Sequence, residues 1–174
     1  MIHHARITFE MVSGALFGAL IVPCFLSAFL RLVASAGTRL IFALPLVYAF
    51  ISDAGGYFVG RFCGKHKLVP ELSPKKTVEG AIFGVIGGTL AGLACRAVFV
   101  YVFHMRMPGI PATIALGLIG SAAGEIGDLS ASLLKRHSGI KDYGHIFPGH
   151  GGVMDRFDSV IFTLIVMYCY TLVL

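Results

Sequence analysis

The stretch VEGAIFGVIGGTLAGLACRAVFVYVF, residues 78–103, is long and apolar enough to cross a membrane as one helix. Glycines recur in it at every fourth position, which places them on one face of that helix: Gly80, Gly84, Gly88 and Gly92. Because glycine has no side chain, such a face lets the backbone of a neighbouring helix approach closely. The stretch therefore predicts a membrane helix that packs tightly within a bundle.

Four further apolar segments accompany this helix, at about 11–30, 39–60, 111–134 and 157–174. The chain of 174 residues is 56% hydrophobic and only 13% charged, which argues against a water-soluble domain. We predict an all-α fold: a polytopic membrane helix bundle of about five transmembrane helices with polar cytoplasmic loops. Residues 1–174 would form a single membrane domain, in which 1–38 supply an N-terminal span and loop and 39–174 supply the rest.

Two weaker glycine pairs repeat the four-residue spacing, Gly14 with Gly18 and Gly120 with Gly124. Together with the glycines of residues 78–103 they favour a compact bundle, and these glycine-rich helix faces also offer a contact for a homodimer.

Basic residues concentrate in two of the predicted loops. Segment 61–77 holds five Lys or Arg residues and segment 135–156 holds four, whereas 104–110 holds one. The positive-inside rule therefore places the first two loops in the cytoplasm, and it accounts for the net charge of +5 without a nucleic-acid partner. The first apolar segment runs on to Ala34-Ser35-Ala36, which resembles a signal-peptide cleavage site, but its length favours a retained membrane anchor.

Carboxylates gather near the end of the chain. Of nine acidic residues, five lie between Glu125 and Asp158. A carboxylate at or inside a membrane boundary is costly unless it is paired or bound to a metal, so Asp53 in the second span is also a candidate. On helices, Asp128, Ser132 and Lys135 would share one face, as would Asp155 with Asp158. Three helix ends could then meet in one polar pocket at the cytoplasmic interface.

Aspartates beside lysines and arginines indicate phosphoryl or nucleotidyl transfer. Oxygen ligands suit Mg²⁺, and cations neutralise phosphate charge during the reaction. Two segments could add phosphate contacts: Lys75 and Lys76, just before the predicted N-cap Thr77, and the glycine-rich turn 148–152. Each segment also has a structural interpretation, as positive-inside topology for the lysines and as a tight re-entry turn for the glycines.

Other motifs do not fit their usual function. Residues 60–66 are one residue short of a P-loop and place His66 where Ser or Thr should hold magnesium. His145 and His150 lack a third ligand at zinc spacing. The four cysteines are scattered through apolar stretches, as expected for core residues.

Residues 132–158 resemble the signature of the phosphatidate cytidylyltransferase (CDP-diacylglycerol synthase) family. The matching runs are SLLKR at 132–136, KDYG at 141–144 and FPGHGGVMDRFD at 147–158. Upstream, SD at 52–53, YFVGR at 57–61, GKHKL at 64–68 and SPKKTVEG at 73–80 resemble the family's other polar segment. The resemblance therefore covers roughly residues 45–174.

This resemblance implies a Mg²⁺-dependent nucleotidyltransferase of phospholipid biosynthesis, which condenses CTP with phosphatidic acid to CDP-diacylglycerol and pyrophosphate. It implies an integral protein of the bacterial inner membrane with its active site facing the cytoplasm. The metal-site carboxylates would be Asp128, Asp155 and Asp158. The catalytic candidates are Lys135, Arg136, Lys141, Asp142, His150 and Arg156. The substrate-binding candidates are Asp53, Ser73, Lys75, Lys76, Ser132, Gly151 and Gly152.

Several alternatives stay open beside this expectation. A CDP-archaeol synthase or a polyprenol kinase-like enzyme would also use CTP on a membrane lipid. Family members commonly carry several more spans ahead of the segment that begins here near residue 39. A truncated, non-catalytic membrane subunit is therefore another alternative. A transporter is disfavoured, because the charges are predicted to gather in loops rather than at mid-membrane.

Overall fold

The computed structural model describes residues 9–34, 42–140, 142–144 and 152–173. An N-terminal helical segment consists of α1 (Phe9–Leu16), a π-helical turn (Phe17–Ile21) and α2 (Val22–Ala34). The remaining elements are α3 (Ala43–Cys63), β1 (Lys67–Val69), β2 (Ser73–Thr77), α4 (Val78–Tyr101), α5 (Ile110–His137) and α6 (Met154–Val173).

Among the described residues, five helices are long and apolar enough to cross a membrane: Gly14–Ala34, Ala43–Cys63, Val78–Tyr101, Ile110–His137 and Met154–Val173. The predicted all-α bundle of about five spans is therefore confirmed. The predicted and observed bounds differ by a few residues, and α6 begins at Met154 rather than near residue 157. As a result Asp155 lies in the first turn of the helix, where a carboxylate is favoured by the exposed N–H groups.

Local sequence explains the ends of the longer helices. Thr77 is the N-cap of α4, as predicted: its hydroxyl accepts a hydrogen bond of 3.1 Å from the Gly80 N–H. α5 begins with a proline in its first turn. Proline has no backbone N–H, and the N–H groups of a first turn have no partner within the helix, so no hydrogen bond is lost there. It ends in Lys135, Arg136 and His137, whose positive side chains suit the carbonyl end of a helix.

A short β-hairpin interrupts the segment that the sequence predicted as a polar loop. β1 and β2 pair antiparallel, with Lys67 opposite Thr77 and Val69 opposite Ser73. Glu79, in the first turn of α4, accepts hydrogen bonds from the N–H groups of Lys65 and His66 and lies 2.7 Å from His66 Nδ1. This carboxylate fixes the hairpin to the start of α4.

The glycine row of α4 packs directly on the backbone of α3, which confirms the predicted close approach. A Cβ atom on Gly84 would lie 2.7 Å from the Ser52 carbonyl oxygen, and one on Gly88 would lie 3.0 Å from that of Tyr48. By contrast, a Cβ atom on Gly87 would meet nothing within 4 Å. Gly84 and Gly88 therefore admit no side chain without displacement of α3.

The second glycine pair packs within the chain as well. Cβ atoms on Gly120 and Gly124 would contact Thr163, and Gly124 also lies against Ser159 of α6. The faces of α4 and α5 that the sequence offered to a homodimer are thus occupied by α3 and α6. These two faces therefore pack inside one subunit, and the homodimer itself stays a prediction.

The apolar core joins α2, α3, α5 and α6. Its buried members include Leu32, Leu44, Tyr48, Leu116 and Leu164. The Tyr48 hydroxyl donates a 3.0 Å hydrogen bond to the Thr113 carbonyl oxygen, which satisfies the polar end of a ring that is otherwise buried. This core holds α3, α5 and α6 in place around the polar groups described next.

Candidate active site

A polar cavity of about 410 Å³ lies between α3, β2, α5 and α6. Five of the described carboxylates line it: Asp53 from α3, Glu125 and Asp128 from α5, and Asp155 and Asp158 from α6. The cations among the described lining residues are Lys75, Lys76 and Arg156. The structure therefore brings together the four aspartates and the three cations that the sequence had placed in distant segments.

Three of the cavity carboxylates lie well inside long helices. Asp53 lies near the middle of α3, roughly 15 Å along the helix axis from Cys63 at the usual rise per residue. Glu125 and Asp128 lie well before the end of α5 at His137. The expectation that the charges gather in loops is therefore wrong for Asp53, Glu125 and Asp128, whereas Asp142 does lie in the loop before α6. Because these carboxylates lie within helices, the argument from charges in loops no longer disfavours a transporter.

Lys76 of the hairpin pairs with two carboxylates of α5. Its Nζ atom lies 2.5 Å from Glu125 Oε2 and 2.8 Å from Asp128 Oδ2. Burial disfavours the charged amine, but Asp128 and Glu125 outweigh that effect and raise the pKa of Lys76 above its usual value. The amine is therefore a permanent positive charge on the cavity wall.

Lys135 pairs with the carboxylates of α6. Its Nζ atom lies 2.8 Å from Asp155 Oδ1 and 3.8 Å from Asp158 Oδ2. The amine also lies 5.3 Å from the centroid of the Tyr143 ring, within the range of a cation–π contact. Burial raises the pKa of the Tyr143 hydroxyl, and Asp155 and Asp158 raise it further. Lys135 does not line the cavity itself but supports two residues that do.

Asp155 is held by three donors. Besides Lys135, its Oδ2 atom accepts hydrogen bonds from the N–H groups of Tyr143 (2.8 Å) and Gly152 (2.9 Å). These bonds connect the first turn of α6 to both sides of the preceding polar loop. Asp155 thus has a structural function in addition to any chemical one.

Ser159 links the remaining two aspartates. Its hydroxyl donates a 2.6 Å hydrogen bond to Asp53 Oδ2, and its N–H donates to Asp158 Oδ1 at 2.9 Å. Ser159 is buried, so no competing bond to bulk water replaces these contacts. This serine fixes the orientation of a carboxylate on α3 relative to one on α6.

Sequence reasoning missed two of these residues as site members, Glu125 and Ser159. Glu125 precedes Asp128 by three positions, so the same helix-face argument that grouped Asp128 with Ser132 would have found it. Ser159 carried no signal, because a single serine in an apolar helix has no typical function.

Other predicted residues lie away from the cavity. Ser73, Ser132 and Asp142 are partly buried but do not line it. Arg136 lines a different cavity of about 320 Å³, next to Glu71 at the hairpin turn. Gly152 contributes its N–H to Asp155 rather than lining the cavity. Lys141, His150 and Gly151 lie outside the described residues, and the functions of this whole group stay predictions.

The donor set suits Mg²⁺ in kind, since it consists of carboxylate oxygens. In the part of the chain that the structure describes, no three acidic, histidine or cysteine side chains are grouped closely enough to hold a metal ion. Instead, Lys76 contacts both Glu125 and Asp128, and Lys135 lies near both Asp155 and Asp158. The carboxylates are thus of the kind that binds Mg²⁺, but Lys76 and Lys135 neutralise part of their negative charge in this arrangement.

Two features of the described residues define the class of this molecule: five helices long and apolar enough to span a membrane, and a cavity of carboxylates and amines between several of them. It is an integral membrane protein with a site suited to phosphate groups. More particularly, the chain belongs to the cytidylyltransferase family, whose family model matches residues 1–174.

Individual relatives agree with this assignment. The phosphatidate cytidylyltransferase of Bacillus subtilis (strain 168) is 42% identical over 131 residues, which cover 75% of this chain and 46% of the relative. That of Staphylococcus aureus (strain COL) is 43% identical over 68% of this chain and 45% of its own length. That of Staphylococcus epidermidis is 44% identical over 75% and 48%. The chain thus spans about half the length of the curated relatives it matches, and the resemblance seen in the sequence is confirmed.

Proposed function

We propose that this chain is a phosphatidate cytidylyltransferase. It would transfer the cytidylyl group of CTP to the phosphate of phosphatidic acid, forming CDP-diacylglycerol and releasing pyrophosphate. The observation that carries the proposal is the polar cavity, in which five carboxylates and three cations from four elements face one space. The names of the relatives supply the substrates.

In the proposed reaction, an oxygen of the lipid phosphate attacks the α-phosphorus of CTP. A new P–O bond forms as the bond to the bridging oxygen of the β-phosphate breaks, and pyrophosphate leaves with that electron pair. Such reactions need positioning and charge neutralisation rather than a covalent protein intermediate. Lys75, Lys76 and Arg156 are the cations placed to neutralise the phosphates, since they line the cavity.

Mg²⁺ usually takes one or two protein carboxylates and completes its coordination with substrate phosphates, and Asp158 with Asp53 or Asp128 would supply those carboxylates here. Bound there, the ion would offset phosphate charge. Asp155 is less suited than the resemblance implied, because its two oxygens already accept hydrogen bonds from Lys135, Tyr143 and Gly152. Ser159 would keep Asp53 and Asp158 oriented for this purpose.

The test uses the whole chain, purified in detergent micelles with phosphatidic acid, Mg²⁺ and labelled CTP, with CDP-diacylglycerol as the readout. Asp158→Asn is the informative variant, because it removes a cavity charge without the loop contacts that Asp155 makes. Glu71→Gln, at the exposed hairpin turn, is its matched control. We expect product from the wild type and the control, and loss of product in Asp158→Asn.

Failure of the well-folded wild type to form product would contradict the proposal and favour a non-catalytic subunit. Turnover of an archaeal ether lipid phosphate or a polyprenol in place of phosphatidic acid would instead assign one of the related CTP-using activities.

We also propose that the cavity faces the cytoplasm in a bacterial inner membrane. The support is the group of basic residues at the hairpin end of the bundle, including Arg61, Lys65 and Lys67. A Glu71→Cys variant without the native cysteines tests this. A membrane-impermeant maleimide should label it in inverted vesicles and not in intact spheroplasts, and the opposite pattern would reverse the topology.

A further inference from the structure

A second cavity, of about 500 Å³, lies between α2 and α6. The described residues that line it are all apolar, and they include Phe25, Leu26 and Phe29 of α2 and Phe157, Ile161 and Leu164 of α6. We call this cavity the α2–α6 groove. The described lining residues offer a nucleotide no charged or hydrogen-bonding side chain, and they suit hydrocarbon.

The groove and the polar cavity share a wall, the first turns of α6. Asp155 and Asp158 face the polar cavity, whereas Met154 and Phe157 face the groove. At the junction, the ring of Phe50, which lines the polar cavity, meets the ring of Phe157 edge to face with centroids 6.4 Å apart. This aromatic contact lies at the boundary between the polar cavity and the groove.

We propose that the α2–α6 groove seats an acyl chain of the lipid phosphate whose head group enters the polar cavity. The inference rests on the proposed function and locates its lipid substrate. A phosphate bound near Asp158 is covalently joined to its hydrocarbon chains, and the groove is the apolar space that begins on the next face of the same helix turns. Bilayer lipid without such a head group would have no partner in the polar cavity.

The groove orients the lipid more than it adds affinity. Hydrocarbon chains in the bilayer are already as apolar as leucine or phenylalanine side chains, so moving one into the groove gains little hydrophobic free energy. What the groove supplies is a fixed direction for the chain relative to the phosphate, which favours an in-line approach to CTP. Blocking it should therefore affect long-chain substrates and spare short ones.

The direct test is photolabelling of the whole protein in micelles, without CTP. The probes are phosphatidic acid and phosphatidylcholine that carry the same diazirine-bearing acyl chain, and labelled residues are mapped by mass spectrometry. We expect the phosphatidic acid probe to label α2 and α6 within the groove at least threefold more than the phosphatidylcholine probe, with competition by unlabelled phosphatidic acid. Equal labelling by both probes, or labelling elsewhere, would overturn the proposal.

A kinetic test uses Leu26→Trp, which fills the groove, and Leu30→Trp as its matched control. Both leucines are on α2 and are similarly exposed, at 54% and 59%, but Leu30 does not line the groove. We expect Leu26→Trp to raise KM for dioleoyl phosphatidic acid at least threefold, with KM for the dihexanoyl lipid and for CTP unchanged. An equal effect on both lipids, or none, would overturn the proposal.

The two proposals fail separately. A wild-type protein that forms no CDP-diacylglycerol contradicts the proposed function. Photolabelling, which needs no turnover, still tests whether the groove binds the acyl chain. If the enzyme forms CDP-diacylglycerol but shows neither groove labelling nor a chain-length effect, the proposed function stands and the groove proposal is wrong.

Discussion

Lys76 and Asp128 lie 2.8 Å apart, Nζ to Oδ2, although the first residue is on the β-hairpin and the second is on α5. The same amine contacts Glu125. The hairpin is thereby connected across the polar cavity to the helix that carries two of its carboxylates. This connection means that the hairpin, which the sequence suggested was a loop, is part of the site.

Replacing Lys76 should abolish most activity. We expect Lys76→Met to lower kcat/KM for CTP by about 100-fold, the loss typical for one preorganised charge-stabilising group. The same variant leaves Glu125 and Asp128 unpaired, so thermal stability in detergent should fall too. Lys65→Met is the control, because Lys65 is exposed and lies outside the cavity lining. Equal losses in both variants would show that only the general basic charge matters.

Ser159 should act through the aspartates that it orients. Ser159→Ala removes the 2.6 Å hydrogen bond to Asp53, and we expect kcat to fall about tenfold, as for loss of one bond to a charged group. The KM for CTP should stay near the wild-type value. The control is Ser130→Ala on α5, whose hydroxyl bonds only the Ile126 carbonyl of its own helix. A Ser159→Ala enzyme with unchanged kcat would contradict this function.

Glu79 should position the hairpin without touching substrate. Its carboxylate accepts hydrogen bonds from Lys65 and His66 and does not line the polar cavity. We expect Glu79→Gln to raise KM for CTP roughly threefold or more, because weaker bonds to the hairpin let Lys75 and Lys76 shift. The matched Glu71→Gln change, at the hairpin turn, should leave KM unaltered. If both changes alter KM for CTP equally, the hydrogen bonds from Glu79 to the hairpin do not explain the effect.

The glycine row should tolerate alanine on one face only. A Cβ atom on Gly84 would lie 2.7 Å from the Ser52 carbonyl oxygen, whereas one on the neighbouring face at Gly87 has open space. Gly84→Ala should destabilise the protein by about 1–3 kcal/mol through overpacking. Gly87→Ala should be neutral or slightly stabilising. The measurement is the temperature at which each variant loses its monodisperse peak in size-exclusion chromatography, and identical temperatures would contradict the packing.

The spans and the Thr77 cap could be predicted because they depend on local sequence. Apolar length defines a span, and a threonine before a helix defines a cap, whatever surrounds them. The grouping of Asp53 with Asp158 was also predictable, since buried carboxylates in a membrane protein need partners.

Other features depend on contacts that local sequence does not encode. The β-hairpin is polar and basic, so its strands showed no apolar alternation, and its position is set by Glu79 and Lys76. Arg136 looked equivalent to Lys135 in the sequence. Adjacent residues on a helix point about 100° apart. Arg136 therefore lines the separate cavity at the hairpin turn, with Glu71, rather than supporting the polar cavity.

The seam between α3 and α4 has a consequence for motion. Where two helices meet through side chains, those side chains can change rotamer and let the helices slide or hinge. Where backbone lies against backbone, as at Gly84 and Ser52, no change of rotamer can open the contact. We therefore expect α3, α4 and the hairpin bonded to α4 to move together. Widening of the cavity to admit a nucleotide or release pyrophosphate would then come from displacement of α5 and α6.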